Sequence, residues 1–366
     1  MIRKALFFFL VLILLAVPAA ADDSPPTVSA RAFILVHPDS GRVLYAENAD
    51  SRMLIASTTK LMTALVASQC LSPDRTATVK EEWTDVEGSA MYLRPGETYT
   101  VRELLEGLLL ASGNDAALAL SEIAAGSTEA FVERMNSKAR AMGLENTHFD
   151  NPHGLDSPGQ YSTAADLAVI MGAACRDPLL CEIMGLRARC VRGLTYENHN
   201  KLLGRCPGVF AGKTGYTKAA GRCLVSCCER EGMELICVTL NDPDDWRDHK
   251  ALYDWAYSVY REVPLGQNVP EIPVIAGEKD TLTPALEREI RLCLKKDESC
   301  TVRYSLTPFV FAPVKKGESV GELAAEFADG AVFRLPLYCT AAVDSADNAG
   351  KVCREIVDRF IGIYAG

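Results

Sequence analysis

The sequence holds only five histidines, scattered along 366 residues, and no C-x-x-C pair among its thirteen cysteines. Zinc centres gather such ligands at short spacings, so no metal site is expected. Nothing in the sequence calls for a cofactor either. A basic excess is also missing: 38 Lys and Arg stand against 48 Asp and Glu, a formal net charge of −10. That balance argues against nucleic acid as a partner. Beyond the first 17 residues there is no apolar run long enough to cross a membrane. The odd cysteine count forbids complete pairing within one chain, and a bridge between the adjacent Cys227 and Cys228 would be strained. Many of the cysteines are therefore expected to serve as small buried apolar side chains. Their redox state is left open.

The one long apolar run stands at the start. Arg3 and Lys4 precede an unbroken stretch from Ala5 to Val17, and Pro18-Ala19-Ala20-Ala21 then offers an A-x-A cleavage pattern. This predicts a secretory signal peptide over 1–21 and a mature protein outside the cytoplasm, on the periplasmic or cell-wall side. Removing it takes away two cations and no anions. The remainder suffices for two domains with substantial cores.

Residues 30–37 and 42–46 read as strands joined by the turn Pro38-Asp39-Ser40-Gly41. A helix should follow Ser57, with Leu61, Met62, Leu65 and Val66 on its apolar side. Thr100 and Glu103 form a capping box that opens a helix through Leu110. Ser112-Gly113-Asn114 interrupts that pattern before a further apolar helix at 115–125. Phe131, Met135 and Met142 line another helix, stopped by Gly143, and Thr163 with Asp166 caps one more. Residues 222–229 and 232–240 form a hairpin, and 245–261 a closing helix. Strands at both ends with helices between them imply an α+β fold, an antiparallel sheet covered by helices on its faces. After Pro264 the pattern changes to short alternating runs, which predicts a small β-sandwich domain over 264–350. The preceding domain then spans 22–263. Residues 351–366 place Val352, Ile356, Val357, Phe360, Ile361 and Tyr364 on one face of an amphipathic helix. Such a helix either packs on its own domain or lies at a membrane surface.

Three short strings carry the chemistry: Ser57-Thr58-Thr59-Lys60, Ser112-Gly113-Asn114 and Lys213-Thr214-Gly215. A serine hydroxyl is a weak nucleophile until a base takes its proton, and a lysine three residues on shares its helix face. The other two strings could supply a hydroxyl, an amide and a cation for a carboxylate-bearing substrate. Each string alone is common, whereas all three in this order are not. Plainer roles stand beside these: Ser57 as a helix N-cap, Ser112 and Asn114 as loop caps, Lys213 as a solvated lysine. His153 is expected to be structural, Asp115 to cap the helix after Asn114, and Glu182 and Glu197 to be surface acids.

The ordered set resembles the serine D-alanyl-D-alanine carboxypeptidases, the low-molecular-mass penicillin-binding proteins. Further strings are similar to that family: Ala56–Ala64, Leu110–Asp115, Asn151-Pro152-His153-Gly154-Leu155, Gly159–Thr163 and Gly212–Thr217. The resemblance spans roughly 28–260, and the segment Ala312–Gly317 looks like the family's carboxy-terminal domain.

The resemblance implies a β-lactamase/transpeptidase-like fold and hydrolysis of the terminal D-Ala-D-Ala bond of peptidoglycan stem pentapeptides, in cell-wall biosynthesis and remodelling. Ser57 would be the nucleophile and Lys60 its base. Ser112 would relay a proton to the departing D-alanine. Asn114 would hold the substrate amide, and Lys213 with Thr214 the terminal carboxylate. Gly215 would let the substrate backbone come close. The backbone N–H groups of Ser57 and Tyr216 would form the oxyanion hole. Tyr216 departs from the histidine often found after K-T-G in the family, which touches specificity rather than chemistry. β-Lactams would be covalent inhibitors. Two other readings remain: a class A-like β-lactamase, against which stands the absence of an E-x-x-L-N string between Asn114 and Lys213, and a non-catalytic cell-wall-binding scaffold.

Overall fold

A computed structural model of the chain describes residues 23–327, 330–346 and 350. The expected signal peptide and the amphipathic helix at 351–366 lie outside the described residues. The centre of the molecule is a five-stranded antiparallel sheet in the order 42–47, 32–37, 233–240, 221–230, 209–217. Because side chains alternate across a strand, each strand feeds two cores. Ala32, Ile34, Cys223, Val225, Cys227, Ile236 and Val238 face the helices that follow the first hairpin. Phe33, Leu35, Leu224, Cys228, Leu235 and Cys237 face the opposite way, against the last helix. Such continuous apolar runs are what a sheet buried on both faces requires.

On the first side stand α1 (Lys60–Cys70), α2 (Val101–Leu109), α3 (Asn114–Ala125), α4 (Thr128–Ala141), α5 (Ala164–Arg176) and α6 (Pro178–Gly185), of which α5 and α6 lie against the sheet and the others pack around them. Their starts follow the expected capping chemistry. Thr100 and Glu103 exchange both bonds of a capping box, and the Thr163 hydroxyl accepts from the Asp166 N–H. On the other face lies α7 (Asp245–Val259), with Leu252, Tyr253 and Ala256 fully buried. The helix ends at Val259, two residues before its expected end, because Tyr260–Leu265 is a strand paired with Ile290–Lys295.

That strand leads into the second unit, whose regular elements over the described residues of 264–346 are all strands. Strands 300–306, 319–327 and 332–339 form its main antiparallel ribbon, around Leu265, Leu292, Leu294, Leu323, Ala325 and Leu337. Two short ribbons went unanticipated, 76–78 with 98–100 and 188–191 with 194–197. Their strands hold three or four residues each, too few for alternation to stand out in sequence. No helix among the described residues is long and apolar enough to cross a membrane.

Candidate active site

The turn that carries Ser57 is built by its own threonines. Thr58 and Thr59 donate their hydroxyls to the carbonyls of Ile55 and Ala56, tightening Ala56–Thr59 into a 3₁₀ turn before α1 begins. With three residues per turn, positions i and i+3 eclipse. Ser57 and Lys60 therefore stand directly one above the other, and Lys60 Nζ is 2.9 Å from Ser57 Oγ. The residue that flanks the turn is Ile55, with no side-chain cap, so Ser57 is not a helix N-cap. Ala56 holds a positive φ of 47°, a conformation that costs a residue bearing a Cβ on the order of 1–3 kcal/mol.

Lys60 Nζ has two further partners, Asn114 Oδ1 at 2.7 Å and the His153 carbonyl at 2.6 Å. The side chain is completely buried. Burial first, and the Lys213 cation second, push its pKa well below the usual lysine value, with Asp115 opposing. A neutral amine has two N–H donors and one lone pair. Both of its other neighbours are carbonyl oxygens that can only accept, so in the neutral form the lone pair would face Ser57 Oγ.

Asn151 sets that carbonyl in place. Its Oδ1 accepts from the Gly154 N–H at 2.7 Å and the His153 N–H at 3.3 Å, closing an Asx turn. The neighbouring Pro152 carbonyl accepts from Thr63 Oγ1 on α1 at 2.6 Å. Gly154 has φ +91°, and a Cβ there would lie 2.1 Å from the Ala56 carbonyl oxygen. His153 contributes its main chain to the site. Its imidazole, lowered to about 4 by burial and then by Lys60, stays neutral and takes the Leu155 N–H.

The second string lies between α2 and α3. Ser112 has φ 58° and accepts from Lys213 Nζ at 3.0 Å. Asn114 is buried; it accepts from Lys60 and gives one amide N–H to the Glu87 carbonyl at 2.7 Å. Asp115 stands inside the first turn of α3 rather than at its N-cap, and its Oδ1 accepts from the Ala116 N–H at 2.9 Å. The same carboxylate also accepts from the Met91 and Leu93 N–H groups at 2.9 and 3.0 Å, which ties the 91–93 loop to the helix start. The N-cap position belongs to Gly113.

Lys213, Thr214 and Gly215 lie on the sheet's edge strand, beside the Ser57 turn. Lys213 is buried, gives a second bond to the Thr214 carbonyl at 2.8 Å, and is lowered to about 7 by burial. A Cβ on Gly215 would come within 2.9 Å of the Ile55 carbonyl oxygen and 3.0 Å of the Ser57 nitrogen. The glycine is thus required by the protein's own packing, before any substrate arrives. Tyr216 is 67% exposed.

A cavity of about 440 Å³ opens over these residues, lined by Ser57, Ser112, Thr214, Gly215 and Tyr216. Lys60, Asn114 and Lys213 sit behind that wall rather than in it. Sequence reasoning missed part of the lining: Ser89, His199, Lys201, Arg222, Asp245 and Trp246. Arg222 and Asp245 pair through two bonds, of 2.5 and 3.1 Å, and the guanidinium lies 5.3 Å from the Trp246 ring centroid. Only the hairpin from Thr217 to Gly221 could have flagged Arg222, since it returns the chain beside Tyr216. Among the described residues no cluster suited to a metal ion occurs.

A buried amine beside one serine and a second lysine bonded to a second serine thus meet at one cleft, on a helix-covered antiparallel sheet. The chain belongs to the D-alanyl-D-alanine carboxypeptidase family, whose sequence profile matches residues 19–244. A second profile, penicillin-binding protein 5, C-terminal domain, matches 261–345. The chain is 33% identical over 314 residues to the D-alanyl-D-alanine carboxypeptidase DacF of Bacillus subtilis, covering 80% of each. It is 32% identical to DacC of Escherichia coli, over 92% of this chain and 89% of that one. Among solved structures, penicillin binding protein 5 from Haemophilus influenzae superposes with a TM-score of 0.76 at 29% identity, covering 88% of this chain and 99% of that one. The all-β unit after α7 and the transpeptidase-like architecture before it are those of low-molecular-mass penicillin-binding proteins.

Proposed function

We propose that this protein is a serine-type carboxypeptidase that removes the terminal D-alanine from peptidoglycan stem pentapeptides through an acyl-serine. The observation that carries the reading is the 2.9 Å contact of Lys60 Nζ with Ser57 Oγ, with two carbonyl acceptors occupying the amine's other directions. In this proposal Ser57 Oγ attacks the carbonyl of the penultimate D-alanine while its proton passes to Lys60. The oxyanion is held by the N–H groups of Ser57 and Tyr216. Lys213 and Thr214 take the terminal carboxylate, a charge that returns Lys213 toward its protonated form. Ser112, held by Lys213, passes a proton to the departing amine. The collapse breaks the C–N bond and leaves the acyl-enzyme, which water then hydrolyses. Asn114 keeps one amide N–H for the substrate, its other being given to Glu87.

The similarity to D-alanyl-D-alanine carboxypeptidases and penicillin-binding proteins supports the same reading, with stem peptides as substrate and β-lactams as covalent inhibitors. We also propose export by a signal peptide at 1–21, a catalytic unit over 22–263 and an accessory β domain over 264–350. Peripheral membrane contact through 351–366 completes the proposal. Vesicle co-sedimentation with and without those residues tests that last part.

The deciding experiment is D-alanine release from diacetyl-lysyl-D-alanyl-D-alanine. Wild type should release D-alanine and be labelled by a fluorescent penicillin. Ser57→Ala should lose both, by at least about 10³-fold in rate. A wild type that does neither overturns the assignment.

A further inference from the structure

Three cysteines outside the catalytic cleft converge on the helix-covered face of the sheet. Cys175 is in the last turn of α5, Cys181 lies in α6, and Cys227 is on the strand 221–230. Cys175 Sγ and Cys227 Sγ are 3.2 Å apart. Closing that gap to a covalent bond needs a further approach of only about 1.1 Å. Cys181 is near enough to Cys175 for each thiol to bear on the other's titration. Cys227 is fully buried, whereas Cys175 and Cys181 are partly exposed. Alternation across the strand explains the adjacent pair: Cys227 points toward α5 and Cys228 toward α7. The vicinal bridge is thus replaced by an opportunity across the core.

We propose that Cys175 and Cys227 form a disulfide when the protein meets a disulfide oxidant, bracing α5 against the central sheet. Cys175, the accessible member, attacks one sulfur of a small-molecule disulfide. This forms a mixed disulfide and expels one thiolate. The Cys227 sulfur then attacks Cys175 Sγ, forming the internal bond and expelling the second thiolate. Two protein thiols are oxidised, one disulfide is reduced to two thiols, and the two protein protons end on the leaving groups. Because Cys227 pairs with Ala211, two residues before Lys213 on the edge strand, the bridge braces the strand pair that carries the carboxylate-binding lysine. The loop it closes is long, and such loops lose most unfolded-state freedom on closure.

The full chain, purified under reducing conditions and then exposed to oxidised glutathione at pH 8, provides the test. Non-reducing proteolysis and mass spectrometry should recover a peptide pair linked through Cys175 and Cys227. The oxidised form should melt on the order of 5–10 °C above the same sample in dithiothreitol. Cys181→Ser should keep both results. Cys175→Ser and Cys175→Ala should lose both and melt with the reduced wild type. A link from Cys175 to Cys181 instead, or alkylation of both Cys175 and Cys227 after oxidation, overturns the proposal. So does a melting temperature unmoved by dithiothreitol.

Discussion

Lys60 Nζ lies 2.6 Å from the main-chain carbonyl of His153, a residue 93 positions further along the chain. That contact makes the amine's geometry a property of the 151–155 turn as much as of α1. A variant lysine analogue must satisfy the same three oxygens and also be able to lose its proton.

Lys60→Arg cannot meet the second demand, since a guanidinium stays charged at any pH the protein survives. Penicillin acylation of this variant should fall by at least about 10³-fold, close to the loss in Ser57→Ala. Stopped-flow acylation with a chromogenic β-lactam measures it. A variant within tenfold of wild type would remove Lys60 from the role of base.

The pH dependence of wild-type acylation should follow the same amine. Burial and the Lys213 cation lower its pKa well below 10.5. The neutral base therefore gains population as pH rises, and the acylation rate should reach its plateau below pH 10.5. A limb that keeps rising through the ordinary lysine range would contradict the burial argument.

Thr63→Val removes the hydroxyl that holds the Pro152 carbonyl. Leaving that buried acceptor without a partner should cost about 1–3 kcal/mol of stability. The turn that presents the His153 carbonyl would loosen too, so kcat should fall while KM moves little. Denaturant melts and steady-state kinetics on one preparation separate the two effects.

Gly215→Ala and Tyr216→His make a contrasting pair. The first pushes a methyl to within 3.0 Å of backbone atoms of the nucleophile turn, and should cost about 1–3 kcal/mol together with most of the activity. The second changes an exposed side chain of which the proposed mechanism uses only the backbone. Its stability should stay within about 0.5 kcal/mol of wild type. Thermal melts and D-alanine release on both variants check this.

His249 supplies a pH test of the other face. Its imidazole is completely buried, bonded to Ser226 Oγ at 2.8 Å and Thr239 Oγ1 at 3.1 Å, and burial lowers its pKa from 6.5 to about 3. The folded state prefers the neutral ring, so its contribution is fully present above pH 6.5. It is lost as pH falls toward 3, by up to about 1.4 kcal/mol per pH unit. His249→Gln should flatten the stability-pH slope between pH 6 and 4. An unchanged slope would place the acid sensitivity elsewhere.

Much of this protein was legible in one dimension. Helix starts carry their caps in sequence, so Thr100, Glu103, Thr163 and Asp166 were assigned to bonds that the structure contains. The three motif strings named the serines and lysines of the cleft, because acyl transfer restricts residue type at short spacing. Long-range contacts were not legible. Asp115 bonds the first turn of α3 as its position suggests, but its further bonds to the 91–93 loop have no sequence signal. Arg222 is signalled only by the hairpin that returns it beside Tyr216, and Asp245 and Trp246, at the start of α7, carry no local signal for the cavity.

Sequence alone determined which chemical groups are present and which helices and strands they start, since periodicity, caps and motif spacing act over a few residues. The tertiary structure alone decided that Lys60 is sealed from water and that Lys213 reaches Ser112. It also decided that Cys175 meets Cys227. Desolvation and contact depend on atoms brought together from across the chain, and no local pattern encodes them.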